Sequence, residues 1–466
     1  MGYEVLIGDC IESMKKLPDE SVDMCVTSPP YYALRNYNNN PEQIGLEPTL
    51  GQYIENMVAV FTEVHRILKP HGTLWLNLGD SYNGSGGAGG DYNKGGIKEG
   101  QPKYTGRNEP NLKRKDLMGV PWRVAFALQD AGWWLRQDII WHKPNCMPEP
   151  VKDRCTKNHE YIFLLTKREK YFFDHVAIKE PVLEDSLKRA QNSWDSDHPS
   201  TGFHGQGIHT EQMGKRFVDP SGRNKRTVWT VNPKPYKGAH FAVYPPDLIE
   251  PCILAGSSAK GCCADCGAPY VRIIEGAELA HVDFSDRNEQ TGVGHRHRKV
   301  GQQYDNWRKK NPHRTVGWQP TCECHGKLVM KDVVIPAEMT KEQVAETSWG
   351  SSKGEYHGKN TKDFASAKAQ GASDVKRRII ENKTKDKVKR MLVYESELPL
   401  DEHPIVPAVV FDPFGGSGTT AGVAIKHGRD AILCELNEEY AELIPARVES
   451  ISQIQKETIN DEREWL

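Results

Sequence analysis

The sequence predicts an α/β fold built on a parallel sheet, and three observations carry that reading. The first is a pair of short apolar runs with an amphipathic stretch between them. Val22 to Thr27 (VDMCVT) stops at Ser28-Pro29-Pro30, as a strand buried on both faces would. From Tyr53 to Leu68, the residues Ile54, Met57, Val58, Phe61, Val64 and Leu68 share one helical face, and Lys69-Pro70-His71-Gly72 should end that helix. Thr73 to Leu78 (TLWLNL) is the next strand. The second observation is that the same alternation returns at the far end of the chain. Val409 to Asp412 reads as a strand, Phe414 to Gly418 as a glycine loop, and Thr419 to His427 as a helix closed by Gly428. Ala431 to Glu435 is a further strand and Glu438 to Ile451 a last helix. The third is that strand–helix–strand order needs a crossover, which is the signature of parallel pairing.

Between these ends the elements are sparser. A helix over Val120 to Ala131 and strands over Arg136 to Trp141 and Glu160 to Thr166 are expected. Residues 83 to 110 are rich in Gly, Asn and Lys without periodicity, which predicts a long loop. The stretch from 175 to 230 is polar and irregular, and 257 to 407 is a hydrophilic block containing four clustered cysteines.

A chain of 466 residues exceeds one ordinary core, so a large domain with a smaller one or with sizeable insertions is expected. The opening residues lack a basic stretch followed by an apolar run, and no apolar run reaches membrane-spanning length. A cytoplasmic protein with no membrane partner is the expectation. The formal net charge of −2 leaves nucleic-acid binding open, because binding needs local basic surface. Such clusters occur at Lys113-Arg114-Lys115, Arg223 to Arg226, His295 to Lys299, Arg308 to Lys310 and Lys376 to Arg390.

Asp412-Pro413-Phe414-Gly415-Gly416-Ser417-Gly418-Thr419-Thr420 follows one strand and opens a helix. Glycines there let a ligand approach the backbone closely, and the helix start favours negative charge. Glu435, at the end of the following strand, is placed to accept hydrogen bonds from ribose hydroxyls. Loop plus acid indicate a nucleoside cofactor, and the absence of Gly-Lys-Ser/Thr excludes a Walker loop. Ser28-Pro29-Pro30-Tyr31 sits at the end of the VDMCVT strand, the edge where α/β sheets bind ligands. Two prolines stiffen the turn and leave carbonyl acceptors projecting from it. Ser28 adds a hydroxyl acceptor and Tyr31 an aromatic face, which together suit a planar base carrying an NH2 group.

On these motifs the sequence resembles the DNA amino-methyltransferases of the permuted β group. Their (Asp/Asn/Ser)-Pro-Pro-(Tyr/Phe) tetrad stands here as SPPY at 28 to 31, and their Phe-x-Gly-x-Gly loop as FGGSG at 414 to 418. The segments GDCIESMKKLPDESVDMCVTSPPYY, RQDIIWHKPNCMPEP, HEYIFLLTK and HFAVYPPDLIEPCILAGS are also similar to family segments. The resemblance implies a Rossmann-like S-adenosylmethionine-dependent methyltransferase fold, circularly permuted, into which this sequence inserts candidate target-recognition and zinc-binding regions. Set on this sequence, it gives a catalytic part at 1–174, a return to the core at 240–257 and a cofactor-binding part at 407–466, while the polar stretch at 175–239 is the candidate target-recognition region and 258–406 is an insertion. The insertion is the departure, because family members usually pass from the last segment to the glycine loop within a few residues.

The same resemblance implies a mechanism. Ser28, Pro29, Pro30 and Tyr31 would form the pocket for a base flipped out of double-stranded DNA, with Ser28 and the Pro29 carbonyl accepting amino protons and Tyr31 stacking. Asp9, Asp412, Phe414, Gly415, Gly416, Gly418, Thr419 and Glu435 would bind S-adenosylmethionine, Asp9 near its adenine, Asp412 and the loop at its methionine part, and Glu435 at its ribose. Serine in first position favours cytosine N4 over adenine N6. A bacterial, phage or prophage setting and a cognate restriction endonuclease fit the resemblance.

Cys263-x2-Cys266 and Cys322-x-Cys324 supply four thiolates of the kind that hold structural zinc, with Cys262 and His325 as alternative ligands. Cys10, Cys25, Cys252 and Cys434 stand in apolar contexts and are expected in the core. Three other readings compete with this one. Protein-glutamine methyltransferases carry Asn-Pro-Pro-Tyr after the glycine loop, whereas this tetrad precedes it. A zinc-stabilised DNA-binding protein with an inactive core conflicts with intact Ser28, Tyr31 and Glu435. A nuclease fused into the insertion finds no carboxylate–lysine cluster there.

Overall fold

The computed structural model describes residues 2–34, 43–84, 109–146, 148–149, 151–183, 221–234, 243–275, 314–335, 387–396 and 402–463. The candidate target-recognition region is described only in part, and Trp194, Trp307 and the basic clusters 295–299 and 308–310 lie outside these residues. The contact pattern separates Met1–Thr321 with Pro404–Leu466 from a second unit, Cys322–His403.

In chain order the first unit contains β1 (Tyr3–Ile7), α1 (Cys10–Met14), β2 (Val22–Thr27), α2 (Leu50–Ile67), β3 (Leu68–Leu78), α3 (Val120–Asp130), β4 (Trp134–His142), β5 (His159–Thr166), β6 (Val228–Thr230), α4 (Pro246–Gly256), β7 (Cys262–Cys263), β8 (Tyr270–Glu275) and β9 (Arg314–Pro320). The second unit holds β10 (Gly326–Ile335) and β11 (Lys387–Ser396), and the first resumes with β12 (Ile405–Val406), β13 (Val409–Asp412), α5 (Thr419–Lys426), β14 (Asp430–Glu435), α6 (Glu438–Ala441) and α7 (Ile444–Arg463).

Eight strands form one sheet in the order β1-β14-β13-β2-β3-β5-β4-β6. Pairing is parallel from β1 through β3 and again between β4 and β6, while β5 runs antiparallel to both its neighbours. Strands from the two ends of the chain alternate in this order, with β13 lying between β14 and β2. The apolar runs are continuous because both faces are covered. Cys25, Leu74, Leu76, Phe163 and Leu165 face Met57, Phe61 and Val64 of α2 and Val124 and Leu128 of α3. Their neighbours Met24, Val26, Trp75, Ile162 and Leu164 face Leu248, Cys252 and Ile253 of α4, Val423 of α5 and Val448 of α7. This is the two-residue period of a strand expressed on two buried faces. Cys10, Cys25, Cys252 and Cys434 are all buried, as expected.

Three elements differ from the sequence reading. Lys69-Pro70-His71-Gly72 ends α2 but does not break the chain, because β3 runs through it with a register shift against β2 between Val22 and Met24. The last helix divides at Glu442-Leu443, since Pro445 has no N–H and suits the first turn of a new helix. Val228–Thr230, read as irregular, pairs with β4 at the sheet edge, where Trp229 is buried against Trp75.

The hydrophilic block contains antiparallel pairs in both units. In the first, β8 pairs with β9, and Arg272 joins this hairpin to the core through Asp174 at 2.6 Å while its guanidinium lies over Trp318. In the second, β10 and β11 pair from Gly326↔Ser396 to Ile335↔Lys387, and Ser396 Oγ meets His403 Nε2 at 2.6 Å.

Candidate active site

Four parallel strands end at one sheet edge, and the predicted site residues stand at those ends. Asp9 follows β1, Ser28 follows β2, Asp412 closes β13 and Glu435 closes β14. The side-by-side pairing of β13 with β2, Val410↔Met24 and Phe411↔Cys25, brings the glycine loop and the Ser-Pro-Pro-Tyr tetrad to the same edge.

Asp412 joins the two motifs. Its Oδ1 accepts from Thr27 Oγ1 at 2.6 Å and from Phe414 N at 3.0 Å, and its Oδ2 from Thr420 Oγ1 at 2.5 Å and Tyr244 Oη at 2.9 Å. Four donors fill the acceptor capacity of a carboxylate, so Asp412 shapes the site by bracing β2, the loop, α5 and the Tyr244 segment. Burial raises its pKa, against which these hydrogen bonds work.

The glycine loop is tight for packing reasons as well as for ligand approach. A Cβ on Gly415 would stand 2.9 Å from Leu433 Cβ, and one on Gly418, at φ +85°, would stand 2.7 Å from Ile444. Within the loop, Ser417 Oγ and Thr419 Oγ1 are buried without a hydrogen-bond partner. Glu435 accepts from Gly416 N at 2.7 Å and Asn437 N at 2.9 Å, one bond on each oxygen, which leaves acceptor capacity on both. Burial pushes its carboxyl up to about 7. Asp9 caps α1 by accepting from Glu12 N, and Gly8 N donates to the Glu435 carbonyl at 2.9 Å, so Asp9 and Glu435 end adjacent strands.

In the tetrad, Pro29 is buried while Ser28, Pro30 and Tyr31 are half-buried. Tyr53 Oη donates to the Pro30 carbonyl at 3.0 Å; among the described residues no donor reaches the Pro29 carbonyl. Tyr31 Oη donates to Glu160 Oε2 at 2.7 Å, lies 3.3 Å from Asn77 Oδ1, and accepts from Ser28 Oγ at 3.3 Å. Burial, then the charge of Glu160, raises the Tyr31 pKa well above the ordinary phenol value, so Tyr31 keeps its proton. Gly79 makes room for the ring, since a Cβ there would stand 2.6 Å from Tyr31 Cε2.

The N6_N4_Mtase family model, described as DNA methylase, matches residues 22–267 and 284–445. The chain belongs to this DNA methylase family.

Relatives within it include the Type II methyltransferase M.SmaI of Serratia marcescens, 43% identical over 261 residues, which cover 55% of this chain and 76% of that protein. The Type II methyltransferase M.XycI of Xanthomonas campestris pv. cyanopsidis is 45% identical over 258 residues, covering 55% and 73%. Among solved structures, PvuII DNA methyltransferase (cytosine-N4-specific) aligns at 14% identity and a TM-score of 0.43, covering 99% of this chain and 93% of that chain.

In this DNA methylase the cysteine-bearing segment starts from a built turn. Gly267 N donates to the Cys263 carbonyl and Cys263 N donates to the Ala268 carbonyl, both at 2.8 Å, with Gly267 at φ +72°. The turn leaves Cys263 buried and Cys266 exposed. Further along, Thr321 Oγ1 donates to the Pro269 carbonyl at 2.8 Å, and Cys322 is the next residue in the chain, opening the second unit. Cys262 points elsewhere. Its thiol donates to the buried carboxylate of Asp23 at 3.1 Å, and burial raises its pKa far above the ordinary thiol value, which makes it a hydrogen-bond donor rather than a thiolate. Burial would raise the Asp23 pKa, but His71, Lys69 and the Val409 N–H hold it below the ordinary carboxylate value.

Four site residues escaped the sequence reading: Thr27, Tyr244, Asn77 and Glu160. Thr27 and Tyr244 lie inside segments singled out there, TSPPYY and HFAVYPPD, and Glu160 inside HEYIFLLTK. Their partners lie 46 to 385 positions away, so no local spacing marks them.

Proposed function

We propose that this DNA methylase transfers a methyl group from S-adenosylmethionine to the exocyclic amino group of a base flipped out of double-stranded DNA, with cytosine N4 favoured over adenine N6. The observation that carries the reading is the Thr27–Asp412 hydrogen bond, which holds the acceptor-bearing tetrad and the glycine loop side by side. A stacked base cannot present its amino group to such an edge, hence the flipping.

The residues fit the cofactor. Glu435 retains acceptor capacity for a ribose diol, and Ser417 and Thr419 offer unpartnered buried hydroxyls in the glycine loop. Asp9 stands one strand over from Glu435, on the side assigned to adenine. When bound, S-adenosylmethionine supplies an electrophilic methyl group. The chain does the rest: Ser28 Oγ and the Pro29 carbonyl accept the amino protons, which turns the nitrogen lone pair away from them, and Tyr31 provides the aromatic wall. Both acceptors stabilise the positive charge that develops on nitrogen. Asp412 acts through Thr27 by holding the turn that aims these acceptors.

The serine that opens the tetrad supports cytosine. The early tetrad and late loop, interleaved in one sheet as β2 and β13, support a circularly permuted chain order. Residues 175–239 are proposed for target recognition, and 258–406 as an insertion stapled by zinc on Cys263, Cys266, Cys322 and Cys324. The names of the Type II relatives support a role in restriction–modification, with a cognate endonuclease as partner and the bacterial cytoplasm as setting.

The test is to incubate a randomised duplex pool with the protein and label-bearing S-adenosylmethionine, then identify the modified nucleoside by mass. N4-methylcytosine is expected. N6-methyladenine alone would replace the cytosine assignment, and no DNA-borne label would end the proposal.

A further inference from the structure

The mechanism above requires Ser28 Oγ to accept a hydrogen bond, yet a hydroxyl donates as readily as it accepts. What decides its orientation lies two residues deeper. Glu160 Oε1 is paired with Lys143 Nζ, and Glu160 Oε2 faces Tyr31 Oη at 2.7 Å and Asn77 Nδ2 at 3.3 Å. An ionised carboxylate only accepts, so the single Tyr31 proton points at Glu160. The Tyr31 oxygen is then left to accept, and the group that donates to it is Ser28 Oγ at 3.3 Å. With its proton committed inward, Ser28 presents lone pairs to the pocket.

Resting on the methyl-transfer reading, we propose that Glu160 is a positioning residue that sets the hydrogen-bond polarity of the base pocket through Tyr31 and Ser28, so that the pocket accepts an amino group and refuses a keto group.

Three features outside the chain of hydroxyls support this. Lys143 holds one carboxylate oxygen while lying 4.0 Å over the Trp141 ring, which leaves the other oxygen to Tyr31. Asn77 is oriented by donating to the Tyr161 carbonyl at 3.0 Å, and its amide donates towards Glu160 from the same side. Gly79 is required by the arrangement, since a Cβ would stand 2.6 Å from the Tyr31 ring and 3.3 Å from the Glu160 carboxyl carbon. A pocket lining chosen for shape alone has no need of a half-buried ion pair behind an aromatic ring, because withdrawing charge from water is costly unless it is partnered.

The test uses Glu160→Gln. Lys143 keeps the amide oxygen, so the NH2 faces Tyr31 and the Tyr31 proton is released from its fixed direction. We expect kcat to fall roughly tenfold to a hundredfold, the range of one misdirected buried hydrogen bond, with the S-adenosylmethionine dissociation constant and melting temperature near those of the wild type. Duplexes carrying the methylated base or its keto counterpart at the same position give a second readout. The wild type should prefer the amino form, and Glu160→Gln should lose most of that preference. In a Tyr31→Phe background, Glu160→Gln should cost nothing further, because the group it acts through is gone. Wild-type kcat and preference in Glu160→Gln, or an equal loss in both backgrounds, would overturn the proposal. If Glu160→Gln does not fold, Tyr31→Phe alone decides, since it keeps the ring and breaks the chain; unchanged kcat and preference there would overturn it equally. Failure of the wild type to methylate DNA would instead strike the underlying functional reading.

Discussion

Thr27 Oγ1 and Asp412 Oδ1 are 2.6 Å apart although 385 positions separate them in the chain. Each is the last residue of its strand, and each immediately precedes or opens a functional motif. Thr27→Val should therefore act on both motifs at once. It leaves a buried carboxylate oxygen short of one donor, at a cost of about 1–3 kcal/mol. Denaturant unfolding should register that loss, and kcat should fall more than cofactor affinity does. An unaltered unfolding midpoint would show that the bond contributes nothing to the edge.

Ser28→Ala removes one of the two proposed amino-proton acceptors and leaves the glycine loop untouched. Turnover should drop about tenfold or more, while S-adenosylmethionine binding, followed by calorimetry, stays close to the wild-type value. Equal losses in both would assign Ser28 a structural role instead.

The proposed ribose contact of Glu435 should make cofactor binding pH-dependent. Burial pushes its carboxyl up to about 7 in the free protein, so it is half protonated near neutrality. Ribose hydroxyls donate to the ionised form, lower this pKa and expel a proton on binding. Affinity should therefore rise with pH below about 7, by at most about tenfold per unit, and level off above it. Glu435→Gln should bind more weakly and show a flat profile. A wild-type profile that is flat between pH 6 and 8 would remove Glu435 from the ribose site.

Gly79→Ala adds one carbon where the Tyr31 ring leaves no space. Displacing the ring from Glu160 and Ser28 should lower kcat, and the overpacking should cost about 1–3 kcal/mol of stability. Cofactor affinity should hold, because the proposed cofactor residues stand at strands on the other side of β2.

Metal content tests the cysteine segment. About one zinc per chain is expected, lost on Cys263→Ser or Cys322→Ser. Cys262→Ser should retain the metal, because that thiol is spent on Asp23. A zinc-free protein would leave the four thiols without a metal to hold.

Much of the frame was legible from local pattern. VDMCVT, TLWLNL and EYIFLLT are too uniformly apolar to face water, and the helix between the first two carries its apolar residues on one face. The strand Val228–Thr230 was not legible, because three residues set no period and Trp229 is held by Trp75 from another strand. The division of the last helix was visible only as a lone proline, Pro445.

By itself the sequence determined which chemical groups this protein has to offer: a serine and stiffened carbonyls at one strand end, a glycine loop and an acid at two others, and cysteines in pairs. Those follow from short-range steric and hydrogen-bonding preferences, which a few neighbouring residues express. Only the tertiary structure decided that β13 inserts between β14 and β2, that Asp412 spends its oxygens on four protein donors, and that Glu160 stands behind Tyr31. Such relationships join residues far apart in the chain, and long-range pairing is set by the packing of the whole sheet rather than by any local spacing.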